Sequence, residues 1–390
     1  MNRQSYDIVV IGAGPAGLNA CLHALAACPG CRVLLADKTA PWEHPIECAE
    51  AVGRLGFTEA IRWDKSWIRH TISRAAFHSP DNTEITYTDN DKGFIIDRGR
   101  MQRDMARQCG EKGAELALDC AIVAVSAPGK NGMRTVTARG GASVGCRVVV
   151  DASGPLSFIG RNEGIAWKAP DLEPAYFAFL ENAPVSADTV HIYVGEDVAP
   201  FGYAWHFPGG DGLSNAGVLV GSGKKGAVNI RELLHSFIRK NFPGAKPVRF
   251  CAGTIPCGFS RRVLAVPGLI KSGDAASTIN PISRAGIVEA LLSGGIAGDH
   301  AVKMLLAHKP GDMKKICLGY EKEWFVKRGG RHYRLARVKP ALARIPDRDY
   351  DGAAHRLANL PQDKLTMSRI FRASLGRSPR LVWAMRHLII

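Results

Sequence analysis

Residues 6–37 constrain this chain more than any other stretch. Asp7-Ile8-Val9-Val10-Ile11 opens a continuous apolar, β-branched run with no polar alternation, the composition of a strand buried on both faces. Gly12-Ala13-Gly14-Pro15-Ala16-Gly17 follows without a spacer. Segment 18–27 is rich in Ala and Leu, as a helix would be, and Arg32-Val33-Leu34-Leu35-Ala36 is a second strand closed by Asp37. Strand, tight turn, helix, strand and carboxylate form the context in which G-x-G-x-x-G marks a dinucleotide site. Gly12 permits the turn, Gly14 leaves room for a pyrophosphate, and Gly17 lets the helix lie close on the strand. The free N–H groups of the helix start favour phosphate. Asp37 is placed to accept from ribose hydroxyls, at a spacing slightly beyond the ~20 residues usual for this fingerprint.

The rest of the chain is read around that cradle. The loop 41–53 leaves the second strand and carries Cys48-Ala49-Glu50-Ala51; in a fold of this kind it runs over the far half of the cofactor, where Cys48 is either a thiol at the reacting centre or a small packing residue. Strand-like runs near 75–79, 84–88 and 93–96, separated by Pro80-Asp81-Asn82 and Asp89-Asn90-Asp91 turns, form a β excursion. A helix over 97–113 follows, with Met101, Met105 and Cys109 four apart on one face and Arg98 at its start, where a guanidinium can reach back to the phosphates. Strands recur near 115–118, 121–125, 135–137 and 147–150.

Segment 174–257 is mostly strands with turn signals between them, as an antiparallel sheet requires, and includes Tyr203-Ala204-Trp205-His206-Phe207-Pro208. The strand Leu269-Ile270-Lys271-Ser272 leads into Gly273-Asp274, and Asn280-Pro281 to Gly286-Ile287 leads into a long small-residue helix over 288–306 whose N-terminus is a second anion-friendly position. Asp274, directly after a strand, is well placed to hold a ribityl or ribose hydroxyl.

Composition narrows the alternatives. With 390 residues the chain holds two or three domains. No apolar run reaches the ~18 residues of a membrane-spanning helix, and Met1 to Ser5 run straight into a strand, which argues against a signal peptide; the expectation is a cytoplasmic protein. Ten cysteines are scattered; Cys28-Pro29-Gly30-Cys31 has redox or half-zinc spacing but sits in the turn after the first helix, away from the phosphates, and a plain turn is expected there. The net charge is +15, and beyond residue 300 about 20 Lys/Arg face about 7 carboxylates. Without an aromatic-basic stacking module no nucleic acid is expected. A peripheral contact with the inner face of an anionic membrane is preferred over a merely solvated basic surface. The final Leu381-Val382-Trp383-Ala384-Met385-Arg386 run suits an interfacial helix and a docked one equally.

Three segments together resemble one superfamily. Gly12 to Gly17, the Arg98-x-x-Met101 helix start and Gly273-Asp274…Pro281…Gly286-Ile287 are similar to the FAD-binding elements of the aromatic-hydroxylase-like flavoproteins. Within it, Tyr203-x-Trp205-x-Phe207-Pro208 looks like the Y-x-W-x-F-P signature of the geranylgeranyl reductase family, and Cys48-Ala49-Glu50-Ala51 resembles the archaeal-lipid form of that family's cysteine motif. The resemblance implies an α/β fold: a Rossmann-like FAD-binding domain from 1–70, 97–160 and 262–308, an inserted antiparallel-sheet substrate domain from 71–96 and 161–261, and a basic helical C-terminal region from 309–390. It implies FAD contacts at Gly12, Gly14, Ala16, Gly17, Asp37, Cys48, Ala49, Ala51, Arg98, Ile122, Asp274, Gly286 and Ile287. It implies hydride transfer from reduced flavin N5 to isolated C=C bonds of a prenyl chain on a lipid or quinone, with electrons from an external donor (ferredoxin, quinol or NAD(P)H). Tyr203, Trp205 and Phe207 would line the substrate cleft, with Cys48 and Tyr203 nearest the chemistry. Met101-Gln102 departs from the commoner Phe-Asp pair, Asp37 stands where Glu is commoner, and Gly209 stands where Lys is common, which leaves the substrate head group open. A flavin monooxygenase or halogenase of the same superfamily is the alternative, since W-x-W-x-I-P is close to the aromatic signature; Lys65 is the nearest candidate for the lysine that halogenases require. A flavin-bearing binding protein without turnover is the third reading.

Overall fold

The computed structural model describes residues 1, 3–40, 42–43, 46–165, 171–221, 223, 228–258, 263–360 and 365. Two eight-stranded sheets organise it. The first has its path from β1 (Ser5–Ile11), β2 (Val33–Ala36), β6 (Glu115–Ala117), β9 (Ser143–Asp151), β15 (Ala265–Val266) and β16 (Leu269–Lys271), in the order β15-β16-β9-β1-β2-β6. The β16, β9, β1, β2 and β6 neighbours are all parallel, with Ile8 level with Val33 on one side and Val148 on the other. Such a sheet needs both faces covered, which is why Ile8, Val9 and Val10 are fully buried. On one face lie α1 (Pro15–Ala27), α3 (Arg98–Glu111) and α5 (Ile287–Leu305), packed through Leu18, Met101, Met105 and Leu291. On the other, β7 (Ile122–Val125) and β8 (Arg134–Ala138) turn back antiparallel from β9 over Tyr6, Val9 and Leu34.

The second sheet runs β14-β10-β13-β12-β11-β4-β5-β3, built from β3 (Ala51–Gly53), β4 (Ile68–His78), β5 (Glu84–Ile96), β10 (Leu172–Glu181), β11 (Thr189–Tyr193), β12 (Tyr203–Pro208), β13 (Ser214–Leu219) and β14 (Lys246–Pro256). It is antiparallel except where β11 lies parallel to β4. Alternation divides its side chains: Phe177, Phe179, Trp205 and Phe207 form a core on one face. Ala178, Ala204 and Val218 face the amphipathic helix α4 (Ile230–Asn241), which packs Leu234 and Phe237 against them. Asn229 caps α4 by accepting from Arg231 N and Glu232 N.

The C-terminal region is helical over the described residues: α6 (Pro310–Trp324), a π-helical turn at Phe325–Gly329, α7 (Gly330–Leu342) and α8 (Asp347–Ala358). Tyr320 of α6 donates to the Lys271 carbonyl at 2.6 Å, and Leu357 of α8 packs on Ile85 of β5. The run from Leu381 lies outside the described residues, as do Pro41, His44 and Pro45 of the loop before Cys48. Among the described residues no helix is long and apolar enough to cross a membrane. Cys28 and Cys31 are joined by a disulfide that closes the turn between α1 and β2.

Helices α1 and α5 meet backbone to backbone. A Cβ at Gly298 would stand 2.3 Å from the Ala20 carbonyl oxygen, and one at Gly294 would stand 2.2 Å from that of Ala16. Gly298→Ala must therefore push the helices apart, and a loss of about 1–3 kcal/mol is expected in urea unfolding. Gly110→Ala in α3 meets only an ordinary 3.7 Å contact with Leu116 and should gain about 0.5–1 kcal/mol.

Candidate active site

The cradle after β1 is held from four sides. Gly12 adopts φ +105°, and a Cβ there would strike the Ala152 carbonyl of the turn after β9; one at Gly17 would strike the Gly12 carbonyl. Gly14 differs: nothing lies within 4 Å of the position a Cβ would take, so its outer side is open. Gly14 is the N-cap of α1 and offers no side chain, which leaves the first-turn N–H groups uncapped. Asp37 accepts from Ala13 N at 2.5 Å and from Thr39 N at 3.2 Å. Its carboxylate thus anchors the turn, with lone pairs to spare.

Gln102 is a residue whose role the sequence did not disclose. Its amide nitrogen donates to the Ala13 carbonyl at 3.1 Å and its amide oxygen accepts from Arg98 Nε at 2.8 Å. Gln102 therefore ties α3 to the turn and aims Arg98. That guanidinium faces Asp274, whose pKa burial pushes up to about 6 against the pull of Arg98. The Asp274 carboxylate accepts no hydrogen bond among the described residues. Gly286, the N-cap of α5, again offers no capping side chain and lies beside Asp274, with 4.0 Å between its Cβ position and Asp274 Oδ1. An open glycine, two uncapped helix starts, an arginine and an unpartnered carboxylate suit a dinucleotide with a hydroxylated linker. Ala16 and Ile287 stand in the first turns of those two helices. Ile122 opens β7 two residues after Cys120, whose N–H donates to the Asp37 carbonyl, so it lies at the Asp37 end of the cradle.

The loop 48–51 joins this cradle to the second sheet. Cys48 packs on the core beside the first sheet, whereas Ala49 and Ala51 pack on the core that contains Trp205. Cys48 Sγ accepts from Glu50 N at 3.3 Å. Glu50 has φ +60° and is buried; its carboxylate accepts from Arg98 N at 2.8 Å and pairs with Arg69 at 3.5 Å, while burial raises its pKa. From the other side, Trp205 Nε1 donates to Asn215 Oδ1 at 2.8 Å, and Asn215 Nδ2 donates to the Cys48 carbonyl at 3.2 Å. Asn215 carries no motif that could single it out; Glu50 lies within the Cys48-Ala49-Glu50-Ala51 motif, but its link to Arg98 and Arg69 is not readable there.

Tyr203, Trp205 and Phe207 project to one face of β12, as their i, i+2 spacing requires. The Tyr203 hydroxyl donates to the Ser283 carbonyl at 2.7 Å, and the Arg284 guanidinium lies 5.5 Å from its ring centre. Burial raises the Tyr203 hydroxyl to about 12; Arg284 opposes that shift, and the Cys48 thiol is among the groups that add to it. Asn215 thus ties the Cys48 backbone to Trp205, two residues along β12 from Tyr203. Arg284, at φ +58°, is locked by Glu173 at 2.8 Å, and Glu173 also binds Lys339 of α7 at 2.6 Å. Lys65 is exposed in the short turn before β4, away from the aromatic face.

A cleft of about 690 Å³ opens beside this seam. Four arginines (Arg69, Arg100, Arg103 and Arg249) and four carboxylates (Glu50, Asp97, Asp104 and Asp211) line it together with Phe179, Leu213 and Ile46. Arg249 lies 4.1 Å from the Phe179 ring centre.

Comparison with known proteins agrees with this arrangement. A family model described as the geranylgeranyl reductase catalytic domain matches residues 171–255, and one described as lycopene cyclase protein matches residues 7–168. The chain is 30% identical to the digeranylgeranylglycerophospholipid reductase of Methanosarcina mazei, over 99% of this chain and 97% of that protein. It is also 30% identical to the reductase of the same name from Methanocella arvoryzae, over 97% and 98%. Among solved structures, a geranylgeranyl bacteriochlorophyll reductase-like protein of Thermoplasma acidophilum superposes with a TM-score of 0.86 at 24% identity, covering 99% of both chains. A flavin-dependent brominase superposes with a TM-score of 0.69 at 18% identity, covering 96% of this chain and 100% of the brominase, which is a likeness of fold. By its full-length relation to these reductases, the chain belongs to the geranylgeranyl reductase family of FAD-dependent oxidoreductases.

Proposed function

We propose that this protein saturates isolated C=C bonds of a prenyl chain carried on an anionic glycerophospholipid. The observation that carries the reading is the seam itself: the loop that carries Cys48 is tied through Asn215 to Trp205 of β12, two residues from Tyr203, beside the dinucleotide cradle. The cradle fits FAD, with Gly14 and Ala16 facing the pyrophosphate, Arg98 near it, Asp37 on the ribose and Asp274 on the ribityl chain. Ala49, Ala51, Gly286 and Ile287 border the flavin in this assignment. Bound there, FAD supplies the hydride chemistry.

The chain's own residues do the rest. An unactivated alkene offers no carbonyl to stabilise charge, so positioning in a dry cleft must supply much of the rate. The apolar face of Trp205 and Phe207 excludes water and grips the chain. The Trp205–Asn215–Cys48 links fix the distance between that face and the loop that carries the thiol. Tyr203 donates its hydroxyl hydrogen to the Ser283 carbonyl, which fixes its ring beside Trp205 at the end of the aromatic face. Of the cleft's arginines, Arg69 is paired with Glu50 and Asp97, and Arg249 would receive the anionic head group, a task that a quinone would not require. An external donor reduces the flavin; ferredoxin, quinol and NAD(P)H are to be compared side by side. The basic exterior brings the protein to the anionic membrane in which such a lipid resides.

Anaerobic protein reduced with dithionite is expected to reoxidise on mixing with geranylgeranyl phospholipid, and the product to gain two hydrogens for each bond reduced. Flavin that reoxidises only when oxygen is admitted would favour the oxygenase or halogenase reading. Cys48→Ala should keep its flavin spectrum and lose about tenfold or more in turnover. Arg249→Glu should raise KM for the phospholipid by about tenfold, the weight of one charge-assisted contact, with kcat little changed and with no effect on an uncharged prenyl quinone. Asp274→Ala should weaken FAD binding about tenfold or more, read by fluorescence titration of the apoprotein.

A further inference from the structure

The outer face of the second sheet, behind Trp205, carries a row of imidazoles that the reductase reading does not use. His78, near the end of β4, stands directly opposite Glu84 of β5. On the other side of β4 the parallel strand β11 brings His191 level with Ala76 and Tyr193 level with His78, and His191 lies directly opposite His206 of β12. Residues level across strands, or two apart along one, share a face. His78, Glu84, His191 and His206 therefore stand together on the face that α4 covers, opposite Trp205.

The distances are those of a ligand set. His78 Nε2 is 3.0 Å from His191 Nδ1 and 3.8 Å from Glu84 Oε2, and the ligand atoms of all three lie within 4.8 Å of one another. An ion held tetrahedrally through bonds of about 2.0–2.2 Å separates its donors by about 3.4 Å. The groups are also aimed. Glu84 Oε1 is occupied by the Thr86 hydroxyl at 2.7 Å, which leaves Oε2 turned to His78. The His78 ring stacks on Tyr193 with centroids 4.1 Å apart and planes 7° from parallel, which fixes its orientation. Behind them His206 is 2% exposed, packs on Phe242, and has a buried Nε2 with no hydrogen-bond partner among the described residues.

We propose that His78, Glu84 and His191 form a site for a zinc-class divalent cation, with three protein donors and an open fourth position. Each imidazole can offer one ring nitrogen to an ion while the other keeps its hydrogen. In the absence of an ion one of the two facing nitrogens carries the hydrogen of the 3.0 Å contact. Binding requires the tautomer that places this hydrogen on the ring's other nitrogen. Glu84 is half exposed, so the site opens to solvent. An ion there clips β5, β4 and β11 together on the reverse of the wall that carries Ile72, Ile95 and Ile192 toward the cleft.

The test uses the full-length, FAD-loaded protein, stripped with chelator, re-equilibrated with zinc chloride and passed through a desalting column. One zinc per chain is expected by elemental analysis, together with a zinc-dependent rise in melting temperature. His78→Ala with His191→Ala should abolish both. Glu84→Gln, an exposed and mild change, should weaken zinc binding about tenfold or more while leaving the zinc-free melting temperature in place. Cobalt(II) should give the visible absorption of a tetrahedral site. Wild-type protein that retains no zinc would overturn the proposal, and so would retention that the histidine pair and Glu84→Gln leave unchanged, since that zinc would sit elsewhere.

Discussion

The close backbone contacts around the first turn set the terms for everything else in this molecule. Gly12 and Gly17 bring β1, α1 and the turn after β9 so near that a single methyl group would force them apart, and Gly294 of α5 meets the Ala16 carbonyl with the same lack of slack. Hydrogen bonds from distant elements then fix the turn: Asp37 of the segment after β2 on one side, Gln102 of α3 on the other. Interiors packed at this density transmit displacement. The uncapped start of α1 is therefore a rigid fixture, able to present N–H groups to a phosphate without reorganising.

That rigidity reaches the second sheet through a few polar links across an otherwise apolar seam. A buried polar group that lacks a partner is costly, so the Trp205–Asn215–Cys48 chain and the Glu50 contacts define one relative placement of cradle and aromatic wall, where apolar packing alone would tolerate several. Glu50 is the extreme case. A non-glycine residue in the left-handed region, with a buried carboxylate that receives the first N–H of α3, holds a strained conformation only because its surroundings impose it. Strain of that kind sits next to Cys48, the residue placed closest to both halves of the site.

The parts legible in the sequence were those with a local signature. The 7–37 unit, the Tyr203-x-Trp205-x-Phe207 alternation and the Met101-Met105-Cys109 face follow from periodicity and turn chemistry within a dozen residues, and each folds as read. Asn215, Gln102 and Arg284 left no such mark. Their roles come from partners such as Cys48, Ala13 and Glu173, between 89 and 167 residues away, and an amide or guanidinium without a partner in view looks like any surface residue. The parallel pairing of β4 with β11 was equally invisible, because strand period fixes which face a side chain takes but not which strand lies beside it. The histidine row behind Trp205 depends entirely on that pairing.

The basic C-terminal region shows why charge counts need a structure. Part of its excess is paired with carboxylates of other elements. Lys327 and Arg328 bind Glu59 of α2 (Arg54–Ala60), and Lys339 binds both Asp171 and Glu173. The last of these bears on the site. Lys339 and Arg284 share the buried Glu173, and Arg284 in turn lies against Tyr203. A buried carboxylate flanked by two cations is stable only as a complete set, since removing one partner leaves charge without compensation. The α7 helix is thus connected, through one lysine and one arginine, to Tyr203 on β12. A cationic composition that reads as an attraction to external anions is, at Lys339, an internal brace on the buried Glu173 and Arg284.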